Sequence, residues 1–279
     1  MSRVVEVNCI EHLQRYRLAW SALWRRTRRA SFTQSLDWFD AAFRCDEQIV
    51  RPRVLIVEDD NDEPIGILPL VVREEATNVG PVRVLGYPLA PFAALCGPVG
   101  SLPTVTLIEG LRHVAKSPRD WDLIDLRGIE AAYVDGRRTT AALGIAGLGA
   151  DVEPWQDRAV VEFGDVWADY WNSRDVDQRE AVDQQRRELE RRGEVTHVRY
   201  RPAGTMHADD DPHWDYYADC LTIARSGQPS AAVETPTLST PAWAEFFRQA
   251  HSAAVHVGAL DLNLLYVDDQ PAAFARRWR

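Results

Sequence analysis

The segment RVLIVEDDNDEPIGILPLVV, from Arg53 to Val72, decides the fold of the first half of the chain. Its two apolar runs, 54–57 and 65–72, flank a loop of acidic residues and asparagine. Runs rich in Val, Ile and Leu on both sides of a polar turn predict a β-hairpin that is buried on both faces. Pro64 opens the second run, where a missing N–H is tolerated, whereas Pro69 inside that run predicts an edge position or a bulge.

The same pattern returns in LDLNLLYVDDQPAAFA, from Leu260 to Ala275. An apolar run, a polar turn and a second run that follows Pro271 repeat the order of the first hairpin. The repetition predicts two α/β modules, at residues 1–164 and 165–279. Few residues follow the second hairpin, and its ending AAFARRWR changes from apolar to basic. We therefore expect the second module to be incomplete and only marginally stable without the first.

The segments around the hairpins alternate between helix and strand patterns. Apolar residues at spacings of three and four predict amphipathic helices, for example around Trp20 and around Phe246. Asp211-Pro212 predicts the start of a helix that carries Trp214, and Gly193 predicts the end of a charged helix. The order of elements predicts an α/β fold, in which a mixed sheet (α+β) has helices on both faces.

Composition excludes several classes of protein. The 279 residues are 46% apolar and 27% charged, and the formal net charge is −10. This profile is typical of a soluble protein and argues against non-specific binding of nucleic acid or of anionic membranes. No apolar run is long enough for a membrane span or a signal peptide, so a cytoplasmic location is expected. The four cysteines show neither disulfide nor zinc spacing.

Two segments carry weak signals for ligand binding. The glycines of GIAGLG, residues 144–149, resemble a phosphate loop, but they close a helix instead of opening one, so helix termination is the favoured interpretation. The segment HADDDPH, residues 207–213, holds potential metal ligands in what is otherwise a loop before a helix, and no metal is expected there. No P-loop, nucleophile elbow or dinucleotide fingerprint is present.

Several segments in this order resemble the CelD-type (BioF-like) acyltransferases, which are related to the FemAB peptidyltransferases and belong to the GCN5-related N-acyltransferase (GNAT) superfamily. In the first module they are FTQSLDWF (32–39), PIGILPLV (64–71), RVLGYPLAP (83–91) and WDLIDLRG (121–128). In the second they are TLSTP (237–241), RQAHSAA (248–254) and the hairpin at 260–275. The resemblance covers nearly the whole chain and implies tandem GNAT-like modules, the second of them incomplete.

The resemblance implies acyl-CoA-dependent N-acyl transfer, with acetyl-CoA or another acyl-CoA as co-substrate. The acceptor would be an amine of a sugar, an amino acid or a cell-envelope precursor. In this superfamily a glycine-containing loop holds the CoA pyrophosphate. That loop follows the fourth strand of a module and lies at a helix N-terminus. The second module ends before such a loop. The alternative is therefore a non-catalytic, truncated remnant or binding module that keeps the fold but lacks the loop.

The matching segments also nominate residues and partners. The open edge of the last strand predicts dimerisation as one way to cover it. The arginines 186, 187, 191 and 192 are candidates for an anion site, although their acidic neighbours favour a solvated helix. The candidate residues of the substrate and acyl-CoA pocket lie beside the loop, helix and strand that match the second module: Gln228, Thr237, Ser239, His251 and Tyr266.

Overall fold

The computed structural model describes residues 2–78, 80–88, 95–130, 134–154, 166–227 and 237–278. In the part that contains the first sheet, the strands are β1 (Arg3–Val7), β2 (Ile49–Glu58), β3 (Pro64–Thr77), β4 (Gly80–Gly86) and β5 (Leu123–Ile124). The helices of the same part are α1 (Ile10–Leu13), α2 (Arg17–Arg26), α3 (Leu36–Cys45), α4 (Pro103–Lys116) and α5 (Arg138–Ile145).

The second half of the chain forms a smaller sheet. Its strands are β6 (Val195–Tyr200), β7 (Leu260–Val267) and β8 (Gln270–Trp278). Its helices are α6 (Trp167–Asn172), α7 (Val176–Glu190), α8 (Trp214–Ser226) and α9 (Ala244–His256).

Both sheets begin with the same strand order. In the first sheet β1, β2, β3 and β4 are antiparallel neighbours, and β5 pairs with β4 in parallel. In the second sheet β6, β7 and β8 are antiparallel neighbours in the order β6-β7-β8. Each sheet places two longer helices between its first and second strands, α2 and α3 in one and α8 and α9 in the other. The predicted mixed α/β fold is confirmed.

The first hairpin is buried on both faces, as its sequence predicts. Leu55 and Leu68 face a core beneath α4, whereas Ile56 and Ile67 face a core beneath α2 and α3. Helix α4 packs very closely against β3. A Cβ on Gly66 of β3 would lie only 1.9 Å from the Oγ1 of Thr106 in α4. Strand β3 therefore forms the centre of a three-layer arrangement.

The prediction that Pro69 marks an edge strand or a bulge is wrong, because β3 is a central strand and its register is regular at that residue. The pairing of β4 with β3 ends at Val71. Among the described residues, the next pairing on that side of β3 is an isolated bridge between Ile67 and Val99. Pro69 lies between these two pairings, so its missing N–H removes no ladder hydrogen bond that the described residues make.

The ends of three other elements differ from the sequence predictions. The N-cap of α8 is His213, with a φ of 45°, because Asp211 accepts a hydrogen bond from the His213 N–H instead of capping the helix itself. The C-cap of α7 is Arg191, and the side chain of Asp268 occupies the space that a Cβ on Gly193 would need. Strand β8 continues to Trp278, because Phe274, Arg276 and Trp278 keep the alternation of half-buried positions through the basic ending.

A shared aromatic core joins the two sheets. Trp38 of α3 is fully buried, and its ring centroid lies 5.0 Å from that of Phe246 in α9 and 5.9 Å from that of Trp278 in β8. Phe32, just before α3, lies 5.3 Å from Trp278. The inner face of the second sheet is thus completed by side chains of the first half of the chain. The dependence of the second module on the first stays a prediction.

One sequence prediction falls outside the described residues. The module boundary between residues 164 and 165 lies in the undescribed range 155–165, so it stays a prediction. Helix α5 ends at Ile145. Gly147 follows α5 with a φ of 75°, and the N–H of Leu148 donates to the carbonyl oxygen of Leu143. The interpretation of residues 144–149 as a helix end is confirmed.

Candidate functional site

An open cleft lies where helices of the two halves meet, and its volume is about 380 Å³. Cavities of this size hold small-molecule ligands in many proteins. Helices α2 and α3 form one wall. The first residue of α8 and one face of α9 form the other. The lining residues are Arg17, Asp37, Trp214, Arg248, Gln249, Ser252, Ala253 and His256.

The wall from the first half carries an ion pair. Arg17 is the first residue of α2, and its Nη1 lies 2.6 Å from Oδ1 of Asp37, the second residue of α3. The Nε of Arg17 donates to the side-chain oxygen of Gln14. Both charged side chains are partly exposed, and pairs of this kind contribute little to stability. A charged ligand can therefore replace either partner of this ion pair at a low cost in stability.

The opposite wall is one face of α9. Arg248, Ser252 and His256 follow each other at intervals of four residues, which places them on one side of the helix. The guanidinium of Arg248 donates from Nε and Nη2 to the carboxylate of Glu245, at 2.9 and 3.0 Å. The same guanidinium lies 6.0 Å from the ring centroid of Trp214. This wall thus combines a cation, a hydroxyl, an imidazole and an aromatic ring.

A hydrogen-bonded chain holds the imidazole of His256. Its Nδ1 lies 2.7 Å from Oγ1 of Thr205, and that hydroxyl lies 2.6 Å from Oδ2 of Asp210. The loop that carries Thr205 reaches the end of α9 because two glycines meet there. A Cβ on Gly204, which has a φ of 89°, would lie 2.8 Å from the backbone nitrogen of Gly258. Only a residue without a side chain permits this approach.

The direction of these hydrogen bonds follows from the proton count. An ionised carboxylate only accepts, so the single hydroxyl proton of Thr205 is donated to Asp210. The oxygen of Thr205 then accepts from His256, which places the imidazole proton on Nδ1. In the part of the chain that the structure describes, the Nε2 of His256 has no hydrogen-bond partner. A neutral imidazole in this tautomer presents a lone pair at Nε2.

His251, one of the predicted pocket residues, lies in the core instead of the cleft. Its side chain is 1% exposed, its Nε2 donates to the carbonyl oxygen of Pro212 at 2.7 Å, and its buried Nδ1 has no hydrogen-bond partner among the described residues. The rings of Trp214 and Tyr217 pack against it, at 5.5 and 5.0 Å between centroids. Burial lowers the pKa of His251 to about 4. His251 is thus neutral at pH 7, and its buried ring packs against the ring of Trp214.

This lowered pKa gives a testable dependence of stability on pH. The folded chain binds fewer protons than the unfolded chain between pH 6.5 and about 4, so stability falls as the pH falls through that window. We expect His251 to remove about 3 kcal/mol of unfolding free energy between pH 7 and pH 4. Urea titrations of the wild type and of His251→Gln at both pH values measure this contribution, and the variant is expected to show the smaller change. Equal changes in both proteins would contradict the assignment.

Tyr266, a second predicted pocket residue, contacts the middle of α8. Its hydroxyl donates to Oδ2 of Asp219 at 2.7 Å. Burial, together with the hydrogen bond and negative charge of Asp219, raises the pKa of Tyr266 well above its usual range. Tyr266 is therefore a hydrogen-bond donor at neutral pH. It lies against α8 in the second sheet and is not among the residues that line the cleft.

Two of the remaining predicted residues, Thr237 and Ser239, lie in the turn before α9. The hydroxyl of Ser239 donates to the carbonyl oxygen of Ala224 near the end of α8, so it accepts the 2.9 Å hydrogen bond from the hydroxyl of Thr237. Gln228 lies outside the described residues. Among the described members of the predicted set, only Thr237 and Ser239 contact each other, so these residues do not converge on one site. Their role as pocket residues stays a prediction.

Two further candidate segments show no built site. Helix α7 has no buried residue, and Arg186 pairs with Glu190 along the helix at 2.8 Å, as a solvated helix would. Within the described ranges, no three His, Cys, Asp or Glu side chains are arranged to hold a metal ion, and this includes residues 207–213. Likewise, no helix among the described residues has both the length and the apolar character to cross a bilayer.

The first sheet contains the order of elements that the resemblance associates with pyrophosphate binding. Strand β4 is followed by Gly97 and Gly100 and then by the start of α4. The N–H groups of Val99 and Gly100 are already bound, to the carbonyl oxygen of Ile67 and to the hydroxyl of Thr27. No charged residue occurs at positions 95–106, so this segment alone does not define an anion site.

Comparison with known proteins supports one functional class. Residues 176–277 match the family model of an acetyltransferase (GNAT) domain. A search of the curated proteins returned no match. The matched region runs from α7 to β8 and so contains the whole α9 wall of the cleft. The match supports the GNAT superfamily and acyl transfer in general, and the mixed α/β architecture is consistent with a GNAT-like fold.

Proposed function

We propose that the chain is an acyl-CoA-dependent N-acyltransferase. It moves an acyl group from an acyl-CoA, such as acetyl-CoA, to an amine of a sugar, an amino acid or a cell-envelope precursor. The observation that carries the proposal is the match of residues 176–277 to the acetyltransferase (GNAT) domain. No metal is required, because the thioester is already activated and the amine is the nucleophile.

The topology supports a tandem arrangement of the CelD type. The order strand, helix, helix, strand, strand occurs in both halves, and in each half the three strands are antiparallel neighbours. Two GNAT-like modules would account for this repetition. In that arrangement the cleft between α2, α3 and α9 lies between the modules, where ligand sites are commonly found.

Acyl-CoA binding tests the proposal. Calorimetric titration of the full chain with acetyl-CoA is expected to give a Kd of about 1 µM to 1 mM, the usual range for enzyme substrates. Acetyl-phosphopantetheine, which lacks the nucleotide, is the matched control and is expected to bind more weakly, because the phosphates contribute charge-assisted hydrogen bonds.

The alternative function, a non-catalytic binding module, predicts a different combination of results. Such a protein would bind an amine ligand without releasing CoA thiol from acetyl-CoA. Absence of heat with acetyl-CoA up to about 1 mM, together with absence of thiol release, would contradict the acyltransferase proposal.

A further inference from the structure

We infer that the interhelical cleft is the acceptor site and that His256 takes the proton from the attacking amine. The acceptor class is a primary amine that also carries a carboxylate, as in an amino acid. This inference rests on the proposed acyl transfer, and it assigns residues that neither the family match nor the sequence motifs identify. Three features of the cleft carry it.

The first feature is the lone pair of His256. The chain from His256 through Thr205 to Asp210 places the imidazole proton on Nδ1 and leaves Nε2 free to accept another. His256 lines the cleft, so the free nitrogen belongs to a side chain that a bound ligand would contact. An amine is protonated at neutral pH and must lose a proton before it attacks a thioester. His256 can accept that proton, because its Nε2 carries a lone pair and its side chain lines the cleft.

The second feature is the separation of charges in the cleft. Arg248 on α9 supplies a cation on one wall, and Asp37 on α3, which pairs with Arg17 of α2, supplies the one carboxylate among the described lining residues on the other. The Nη1 of Arg248 makes no hydrogen bond to the described residues, so it is available to a ligand carboxylate. Asp37 is engaged through Oδ1 only and can attract an ammonium group with Oδ2. A ligand with both charges matches this pattern.

The third feature is the size and surface of the cleft. A volume of about 380 Å³ is within the range of small-molecule sites. An amino acid of ordinary size fits such a space with its side chain beside the ring of Trp214, which is 41% exposed. The buried ring of His251 packs against that indole, at 5.5 Å between ring centroids.

The reaction balances without a further reagent. Nε2 of His256 accepts a proton from the ammonium group, and the free amine attacks the carbonyl carbon of the acyl-CoA thioester. A C–N bond forms and the C–S bond breaks. The amide nitrogen loses its second proton, the CoA thiolate gains one, and the proton on His256 returns to solvent. His256 is the catalytic residue in this step, whereas Thr205 and Asp210 are positioning residues.

Two pairs of acceptors test the ligand class with the full chain and acetyl-CoA. The pairs are L-lysine with cadaverine and L-phenylalanine with phenethylamine, and released CoA thiol is measured. Each amino acid is expected to have a KM at least about tenfold below that of its decarboxylated partner, because Arg248 binds the carboxylate. Arg248→Met should abolish this difference. Arg186→Met is the matched control, because Arg186 also pairs with a glutamate on its own helix but lies outside the cleft. Equal KM values within each pair in the wild type would overturn the acceptor class.

Substitution of His256 tests the proton acceptor. His256→Ala is expected to lower kcat by about 100-fold or more while the KM for the amino acid changes little, and added imidazole should restore part of the rate. Thr205→Val should lower kcat by about tenfold, and Thr205→Ser should recover it. His12→Ala, an exposed histidine on α1, is the control. An unchanged kcat in His256→Ala, or a fall that imidazole does not reverse, would contradict the role of His256.

These outcomes are distinguishable from failure of the proposed function. Calorimetry with acetyl-CoA on each variant reports whether the donor still binds. A wild type that binds no acyl-CoA and acylates no amine contradicts the proposed function itself. A wild type that acylates amines, with a His256→Ala variant of equal kcat, contradicts only the assignment of the cleft.

Discussion

Trp38→Ala is expected to lower the free energy of unfolding by about 3 to 5 kcal/mol, the range for removal of a buried tryptophan or phenylalanine side chain. Trp38 is fully buried, and its ring contacts Phe32, Phe246 and Trp278, with centroid distances between 5.0 and 5.9 Å. The side chain comes from α3 but completes the core of the second sheet. Its loss should therefore weaken the second sheet more than the first.

Hydrogen exchange followed by mass spectrometry resolves where the loss falls. In Trp38→Ala, protection is expected to fall most in residues 244–278. Phe39→Ala is the matched control, because Phe39 is the next residue on α3 and packs into the core of the first sheet. That variant should reduce protection mainly in residues 49–73. Equal loss in both halves for both variants would contradict the division of the core.

A milder substitution covers the case in which Trp38→Ala does not fold. The Nε1 of Trp38 is buried and has no hydrogen-bond partner among the described residues. Trp38→Phe keeps an aromatic ring at the junction and removes this unpaired donor. We expect Trp38→Phe to retain the protection pattern of the wild type.

Arg53→Met is expected to cost about 3 to 5 kcal/mol, because it leaves two carboxylates without their buried cation. Arg53 is 1% exposed. Its Nη1 donates to Oδ1 of Asp120 at 2.6 Å, and its Nε lies 3.1 Å from Oε1 of Glu6. His113 adds a 2.8 Å hydrogen bond to the same glutamate. The network ties β1, β2 and the end of α4 together.

Arg51→Met is the matched control for this prediction. Arg51 lies on the same strand and pairs with the same Asp120, but its side chain is 34% exposed. We expect Arg51→Met to cost about 1 kcal/mol or less. Urea denaturation at pH 7 compares the two variants, and equal costs would contradict the importance of burial.

The loss of unfolding free energy in Arg53→Met should become smaller as the pH falls. Burial acts to raise the pKa of Glu6, but the hydrogen bond from His113 and the charge of Arg53 together hold it below the ordinary value. A lowered pKa contributes stability that is present above the unfolded pKa and is lost as the pH falls. The difference between wild type and Arg53→Met should therefore shrink below about pH 4.

The elements that the sequence predicts well are those determined by local pattern. The hairpin at 53–72 is found where two continuous apolar runs and a polar turn place it, and the end of α5 near Gly147 follows from the glycine that can adopt a positive φ. Helix starts were less predictable. Asp211-Pro212 has the composition of a helix start, but the backbone turns at His213 in a left-handed conformation that the residue type does not favour.

The candidate site depends on contacts between segments that are distant in the chain. Arg17 and Asp37 meet Arg248 and His256 only because α3 packs against α9, and no spacing in the sequence records that packing. A histidine at the end of a helix is ordinarily solvated, so His256 carries no signal by itself. Its importance follows from Thr205 and Asp210, which reach it through the contact between Gly204 and Gly258.

His251 shows the opposite case. It lies in a segment that resembles the family and has the residue type expected of a pocket, and yet it is buried beneath Trp214. His251 follows Phe247 by four residues and precedes Ala254 by three, so the three residues share one face of α9, and all three are buried. This spacing predicts a core position for His251, whereas the family resemblance alone placed it in a pocket.

The most direct test of acyl transfer is the mass of the acceptor after reaction. The full chain, incubated with acetyl-CoA labelled with carbon-13 in the acetyl group, is expected to transfer that group to the amine of L-lysine or L-phenylalanine. Mass spectrometry should then detect the labelled N-acetyl product in proportion to released CoA. Failure to form a labelled product with any amine offered, by a protein that is folded and free of CoA, would contradict the account.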